Sequence, residues 1–131
     1  MIVVDASVMV AALADSSPSG DASRSRLTED PHWVAPTHMP IEVLRALAKH
    51  ARCGDISSAA AEEHADTLAS AQIDYSAPTP AALLRIWALR HNISAYDAAY
   101  VVLAETFDVP LLTHDKRLAR AAHDMCTVHT P

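Results

Sequence analysis

The chain has 131 residues, half of them hydrophobic and a fifth charged, with a formal net charge of −6. That is one domain's length with apolar surface enough for one core, which excludes a disordered chain. Two glycines argue against a turn-rich all-β fold, and an aromatic share of 5% argues against stacking platforms for single-stranded nucleic acid.

The elements alternate. Ile2-Val3-Val4 is a short apolar run and reads as a buried strand. A helix follows over 7–14, then the loop Asp15–Asp21 with Pro18 and Gly20, then a polar helix over about 21–29. Residues 31–36 read as a strand between two prolines. Ile41, Leu44, Leu47 and Ala48 fall at helical spacing, which predicts an amphipathic helix over 41–52 ended by Gly54. Ser57 or Ser58 caps a helix reaching 71, and Ile73-Asp74-Tyr75 is a weak strand. Thr79-Pro80 starts a helix to about Arg90, and Ser94 caps another from Ala95 to Phe107. A strand over 110–113, a helix over 116–123 and a strand over 125–129 complete the chain. Strands alternating with helices imply a parallel sheet covered on both faces, in a single domain over 1–131.

No apolar run approaches the ~20 residues of a membrane span. The opening Met1-Ile-Val-Val-Asp5 lacks the basic region and cleavage site of a signal peptide. Cys53 and Cys126 suggest no disulfide framework, so the expected compartment is a reducing cytoplasm and both thiols are expected to be packed and inert. Trp33 and Trp87 are expected in the core or at an interface, and Tyr96 and Tyr100, which flank Asp97, in the core, with stacking on a base as the other reading.

Most acids suit loops, caps or a solvated face, as Glu62, Glu63 and Asp66 do. Four are harder to explain. Asp5 and Asp115 each follow an apolar strand, and carboxyl ends of parallel strands are where open α/β sheets bind ligands. Glu42 and Asp97 each lie in the first turn of a helix, where negative charge is tolerated. If these converge they repel: two carboxylates ~5 Å apart do so by roughly 3 kcal/mol at an effective dielectric of about 20. No Lys or Arg adjoins Asp5, Glu42 or Asp97 in sequence, so a bound cation is the expected compensation. An all-oxygen site suits Mg²⁺ or Mn²⁺ rather than Zn²⁺.

Val4-Asp5-Ala6-Ser7, Pro40-Ile41-Glu42-Val43, Ser94-Ala95-Tyr96-Asp97-Ala98-Ala99-Tyr100 and Leu111-Leu112-Thr113-His114-Asp115-Lys116-Arg117-Leu118 together resemble the PIN-domain family, in its VapC-type ribonuclease toxins. The resemblance spans essentially the whole chain. It implies a three-layer α/β/α sandwich with a central parallel sheet in strand order 3-2-1-4-5. It implies a metal-binding, catalytic quartet of Asp5, Glu42, Asp97 and Asp115, supported by hydrogen bonds from Thr113 and Ser7. It further implies a Mg²⁺-dependent endoribonuclease, with Mn²⁺ as the other candidate metal, acting as the toxin of a type II toxin–antitoxin pair. RNA hydrolysis would inhibit translation and growth until a VapB-like antitoxin neutralised it. Such toxins form homodimers. The antitoxin's carboxyl-terminal segment lies across the active-site groove, expected here between the helices at 7–14 and 41–52, often with an Arg among the acids.

An acidic chain needs local cations to hold RNA. Arg45, Lys49 and Arg52 follow Glu42, and Lys116, Arg117 and Arg120 follow Asp115, so these two groups are the expected RNA-binding residues. Arg85, Arg90 and His91 form a third group. Solvated helix faces are the plainer account of the same residues. His114 is expected either to touch substrate or to face solvent.

Two other functions compete. A catalytically weak PIN domain could serve as an RNA- or antitoxin-binding module, although a pure binder has no need of four clustered acids. A phosphatase using Asp5 as nucleophile would need a second acid at position 7, where the residue is Ser.

Overall fold

Ile2, Val3 and Val4 are all buried, because the strand they form, β1 (Ile2–Val4), is the middle of a sheet and has protein on both faces. The computed structural model describes all residues, 1–131. After β1 come α1 (Ala6–Ala14), α2 (Pro18–Glu29), β2 (Trp33–Pro36), α3 (Met39–Cys53), α4 (Ser58–Ser70) and β3 (Ile73–Ser76). The second half is α5 (Pro80–Ala88), α6 (Ala95–Phe107), β4 (Leu111–Leu112), α7 (Lys116–Ala122) and β5 (Val128–His129).

All strand pairings are parallel and the order is β3-β2-β1-β4-β5, the expected one. The chain builds outward from β1 to β2 and β3, then returns to the other side of β1 for β4 and β5. The reversal therefore lies between β1 and β4, where Val4 pairs with Leu112. Asp5 and Thr113 are the next residues on these two strands, and the Asp5 amide donates to the Leu112 carbonyl at 3.0 Å.

Helices complete a three-layer α/β/α sandwich. α6 crosses β1, β2 and β4 and carries α5 on its outer side, while α1 packs against α2, α3 and α4. The caps follow local sequence chemistry. Ser17, Ser57, Thr79 and Ser94 each accept an amide of the first turn of their helix. Gly54 ends α3 at φ 78°, a left-handed conformation that suits glycine. Gly20 has a different reason: a Cβ there would lie 1.9 Å from the Asp15 carbonyl oxygen, so only glycine lets α2 pass so close to the end of α1.

The polar α2 starts at Pro18, earlier than its composition suggests, and docks through buried Ser23 and Leu27. Two side chains, Cys53 and Tyr96, depart from expectation, and for Trp87 the core half of the expectation fails. Cys53 is exposed at the end of α3 rather than packed. Trp87 is 65% exposed on α5, outside the core, and Tyr96 is 63% exposed. Helix α5 is only 9 residues long, and its inward contacts are made by partly buried Ala82 and Ile86, which leaves Trp87 on the outer face. No helix is long and apolar enough to cross a membrane.

Candidate active site at the carboxyl ends of the central strands

Asp5 is the centre of the site. It is only 7% exposed, at the end of the central strand and the start of α1. Its Oδ2 accepts hydrogen bonds from the Ser7 hydroxyl and, at 2.7 Å, from the Thr113 hydroxyl. Burial pushes the Asp5 carboxyl above its ordinary pKa, the two hydroxyls oppose that shift, and the charge of Asp97 adds to it. The two hydroxyls also fix the neighbouring backbone. Ser7 Oγ accepts the His114 amide at 3.0 Å, and Thr113 Oγ1 accepts the Asp115 amide at 2.9 Å. Ser7 and Thr113 thus tie the end of β4 to the start of α1 across the strand-order reversal.

Glu42 lies in the first turn of α3. The Tyr100 hydroxyl donates to its Oε2 at 2.6 Å. Tyr100 is 1% exposed, and its phenol is held neutral by burial, by that hydrogen bond and by the charges of Asp5 and Glu42. His38 stands 3.6 Å from the same Glu42 oxygen, with edge-on ring contacts to Tyr96 and Tyr100 at 5.1 and 5.3 Å. Its Nε2 is the one buried side-chain polar atom without a hydrogen-bond partner.

Asp97, in the first turn of α6, is three residues before Tyr100, so one helix face carries both toward the site. The Arg117 guanidinium approaches Asp97 Oδ2 at 3.8 Å, longer than a hydrogen bond. The fold thus supplies a cation that adjacency in sequence does not. Asp115 is half-buried, and its Oδ1 accepts the amides of Arg117 and Leu118 at 2.7 and 3.1 Å as the N-cap of α7.

The fold therefore gathers Asp5, Glu42 and Asp97 around Tyr100, with Asp115 joined through Thr113. No three His, Cys, Asp or Glu groups close into a ready metal cage. The donor set is nevertheless all oxygen, and the central carboxylate is destabilised by burial and by a like charge. That combination fits a hard divalent cation, which binds through one or two carboxylates and keeps several of its own waters.

His114 is half-buried, with its ring turned to α2. Its Nε2 lies 2.6 Å from Ser23 Oγ, which itself donates to the Ser19 carbonyl at 3.0 Å. With its single proton used there, Ser23 accepts from His114, which fixes the tautomer and anchors α2 to the site. Reasoning from sequence missed this bond and the Tyr100–Glu42 bond; the helical spacing of Asp97 and Tyr100 was the available signal for the latter. Arg45, Lys49, Arg52, Lys116, Arg117 and Arg120 are all exposed, on α3 and α7.

Known proteins resemble the chain in sequence and in fold. The PIN domain family matches residues 2–124. Ribonuclease VapC1 of Mycobacterium tuberculosis is 40% identical over 127 residues, covering 96% of this chain and 94% of that protein. Ribonuclease VapC3 of the same organism is 38% identical over 92% of this chain and 86% of its own. Among solved structures, PAE2754 from Pyrobaculum aerophilum superposes with a TM-score of 0.71 at 24% identity, over 97% of this chain and 82% of its own. The M. tuberculosis sarcin-ricin loop cleaving toxin VapC20 gives 0.68 at 21% identity, over 92% and 95%. VapBC2 from Rickettsia felis, bound to a DNA fragment from its promoter, gives 0.69 at 13% identity, over 99% and 98%. The sequence matches and the sheet order agree: the chain belongs to the PIN domain family, among the VapC ribonucleases.

Proposed function

We propose that this chain is a metal-dependent endoribonuclease and the toxin of a type II toxin–antitoxin pair. The observation that carries the reading is the environment of Asp5. A carboxylate is buried at the sheet's reversal point, raised by desolvation and by Asp97, and held in place by two hydroxyls. A fold that needed only a capping residue there would not bury a second carboxylate's field beside it. Asp5, Glu42, Asp97 and Asp115 would hold Mg²⁺ or Mn²⁺. When bound, the cation would activate a water and neutralise charge on the attacked phosphate.

The chain's own part is positioning. Ser7 and Thr113 hold one Asp5 oxygen and leave its charge directed into the site. Tyr100 orients Glu42. Arg117 borders Asp97, and with Arg45, Lys49, Arg52, Lys116 and Arg120 it would contact RNA phosphates. Because the net charge is −6, RNA affinity would be modest and would weaken with salt.

The relatives' names and the VapBC2 structure support a VapB-like antitoxin as partner. It would lie in the groove of about 450 Å³ where α1 meets the end of α3, lined by Ser7, Ala11, His50 and His114. Occupying that groove would block access to Asp5 and hold cytoplasmic translation and growth free of the toxin. A homodimer would use α5, whose Leu83, Leu84 and Trp87 share one face and are all exposed.

The test is cleavage of total cellular RNA by the purified chain with Mg²⁺, with Mn²⁺ and with EDTA, beside Asp97→Asn. Discrete fragments that need metal and vanish in the variant are expected. Cleavage that survives EDTA would sink the metal reading, and no cleavage by a folded, metal-binding chain would favour a binding module.

A further inference from the structure

A second cavity meets the acidic site at Asp97. The 89–94 segment between α5 and α6 and the first turns of α6 and α7 enclose about 260 Å³. Arg90, His91, Asn92, Ser94, Asp97 and Arg117 line it, above buried Ile93 and Leu118. Asp97 is shared with the acidic site. In a chain of net charge −6, this wall sets two guanidinium groups and an imidazole against one carboxylate.

The two arginines are set differently. The Arg90 guanidinium lies 4.5 Å over the Trp87 ring, and its Nη1 donates to the Trp87 carbonyl at 2.9 Å. One N–H and one face are used, which pre-orders the group and leaves other donors for a ligand. Arg117 is 79% exposed and touches Asp97 at 3.8 Å without a hydrogen bond. Neither arginine is bound to a carboxylate tightly enough to satisfy its fork. A guanidinium fork matches the paired non-bridging oxygens of a phosphodiester better than it matches any neutral group.

We propose that this cavity is a phosphate subsite that holds the RNA backbone beside the bond being cut, with Arg90 and Arg117 as its phosphate ligands and His91 and Asn92 as further donors. The proposal rests on the ribonuclease reading of the adjoining acids and adds a direction to it. Because the two sites meet at Asp97, a strand with one phosphate among the acids places a neighbouring phosphate in the cavity. The strand then runs along the 89–94 segment. Arg90 lies outside both cationic helices at α3 and α7, in the third basic group of the sequence, and only the fold sets it in one cavity with Arg117.

The test is fluorescence anisotropy of a labelled, random-sequence single-stranded oligoribonucleotide in EDTA, where no cleavage occurs, over a range of NaCl. Arg90→Ala and Arg117→Ala are each expected to weaken binding about tenfold, the scale of a lost hydrogen bond to a charged group. Each should also lower the salt slope by about 0.7, the single-strand value per phosphate. Arg90→Lys and Arg117→Lys should recover the slope but only part of the affinity, since the charge returns without the fork. Both side chains are exposed, and thermal melts check that the four variants fold. RNA binding that is equal in the parent and both alanine variants overturns the subsite and leaves the nuclease reading standing. Loss of metal-dependent cleavage in the parent would instead overturn that reading. Arginine-dependent binding of polyglutamate with none of RNA would make the cavity a protein contact and overturn the proposal, and so would no binding of either.

Discussion

The Tyr100 hydroxyl donates a 2.6 Å hydrogen bond to Glu42 Oε2 across 58 residues of sequence. It joins the helix that carries Asp97 to the helix that carries Glu42, inside the core and next to Asp5. Tyr100→Phe keeps the ring and removes only this bond. A hydrogen bond to a charged group contributes about 1.5–3 kcal/mol, and a carboxylate left short of a partner moves. The variant should stay folded, with kcat reduced by about one to two orders of magnitude, a larger change than in KM. The concentration of Mn²⁺ needed for half-saturation, read by electron paramagnetic resonance without RNA, should rise. An unchanged Mn²⁺ titration would reduce Tyr100 to a packing residue.

Asp5 should trade stability for function. Its folded pKa is raised above the unfolded value near 3.8, so between these values the native state binds more protons and stability falls as pH rises. Above the folded value the penalty is fully present. Asp5→Asn removes it while the amide oxygen can still accept from Ser7 and Thr113. The variant should therefore melt higher than the parent at neutral pH in EDTA, with the gap closing as pH falls toward 4. It should be inactive. Adding Mg²⁺ should raise the melting temperature of the parent and not of the variant. A variant that melts lower at neutral pH would show that the charge is structural.

Ser7 and Thr113 act on one carboxylate oxygen and on two backbone amides. Thr113→Val is close in shape but removes the hydroxyl that serves both Asp5 and the Asp115 amide. In a site with 0% exposure the unsatisfied partners should cost about 1–3 kcal/mol. Ser7→Ala should cost less, since Ser7 is only partly buried. The two hydroxyls lie 3.5 Å apart and share Asp5, so chemical denaturation of the double variant should depart from additivity by 0.5 kcal/mol or more, about the usual lower bound for coupled groups.

Gly20→Ala tests the close passage of α2 over the end of α1. The new Cβ would meet the Asp15 carbonyl oxygen at 1.9 Å and its carbon at 2.7 Å, both backbone atoms that have no rotamer to change. Displacing α2 should cost about 1–3 kcal/mol by thermal unfolding. It should also lower activity, because Ser23 on the same helix holds His114 beside Asp115. A neutral substitution would mean that the 15–20 segment yields easily.

Leu84→Glu and Trp87→Glu place a charge on the exposed face of α5. Light scattering after size-exclusion chromatography should report a dimer for the parent and a monomer for each variant. A parent that is already monomeric would exclude this face as a self-contact.

Local chemistry determined much of this protein from its sequence alone. The alternation of apolar runs with capped helical stretches set the element order, because strand burial and N-cap hydrogen bonds act within a few residues. Ser57, Thr79, Ser94 and Gly54 could be placed for that reason. The four acids stood out by their positions at strand and helix ends, and family resemblance supplied the strand order that brings the ends of β1 and β4, with Asp5 and Asp115, together; the structure sets Thr113 between them. Tertiary structure decided what depends on contacts between distant segments. It put Tyr100 on Glu42, His114 on Ser23 and Arg117 beside Asp97, and it left Trp87 and Cys53 outside the core. A side chain's periodicity says which face of its helix it occupies; which partner covers that face, or whether any does, is set by the packing of elements far apart in the chain.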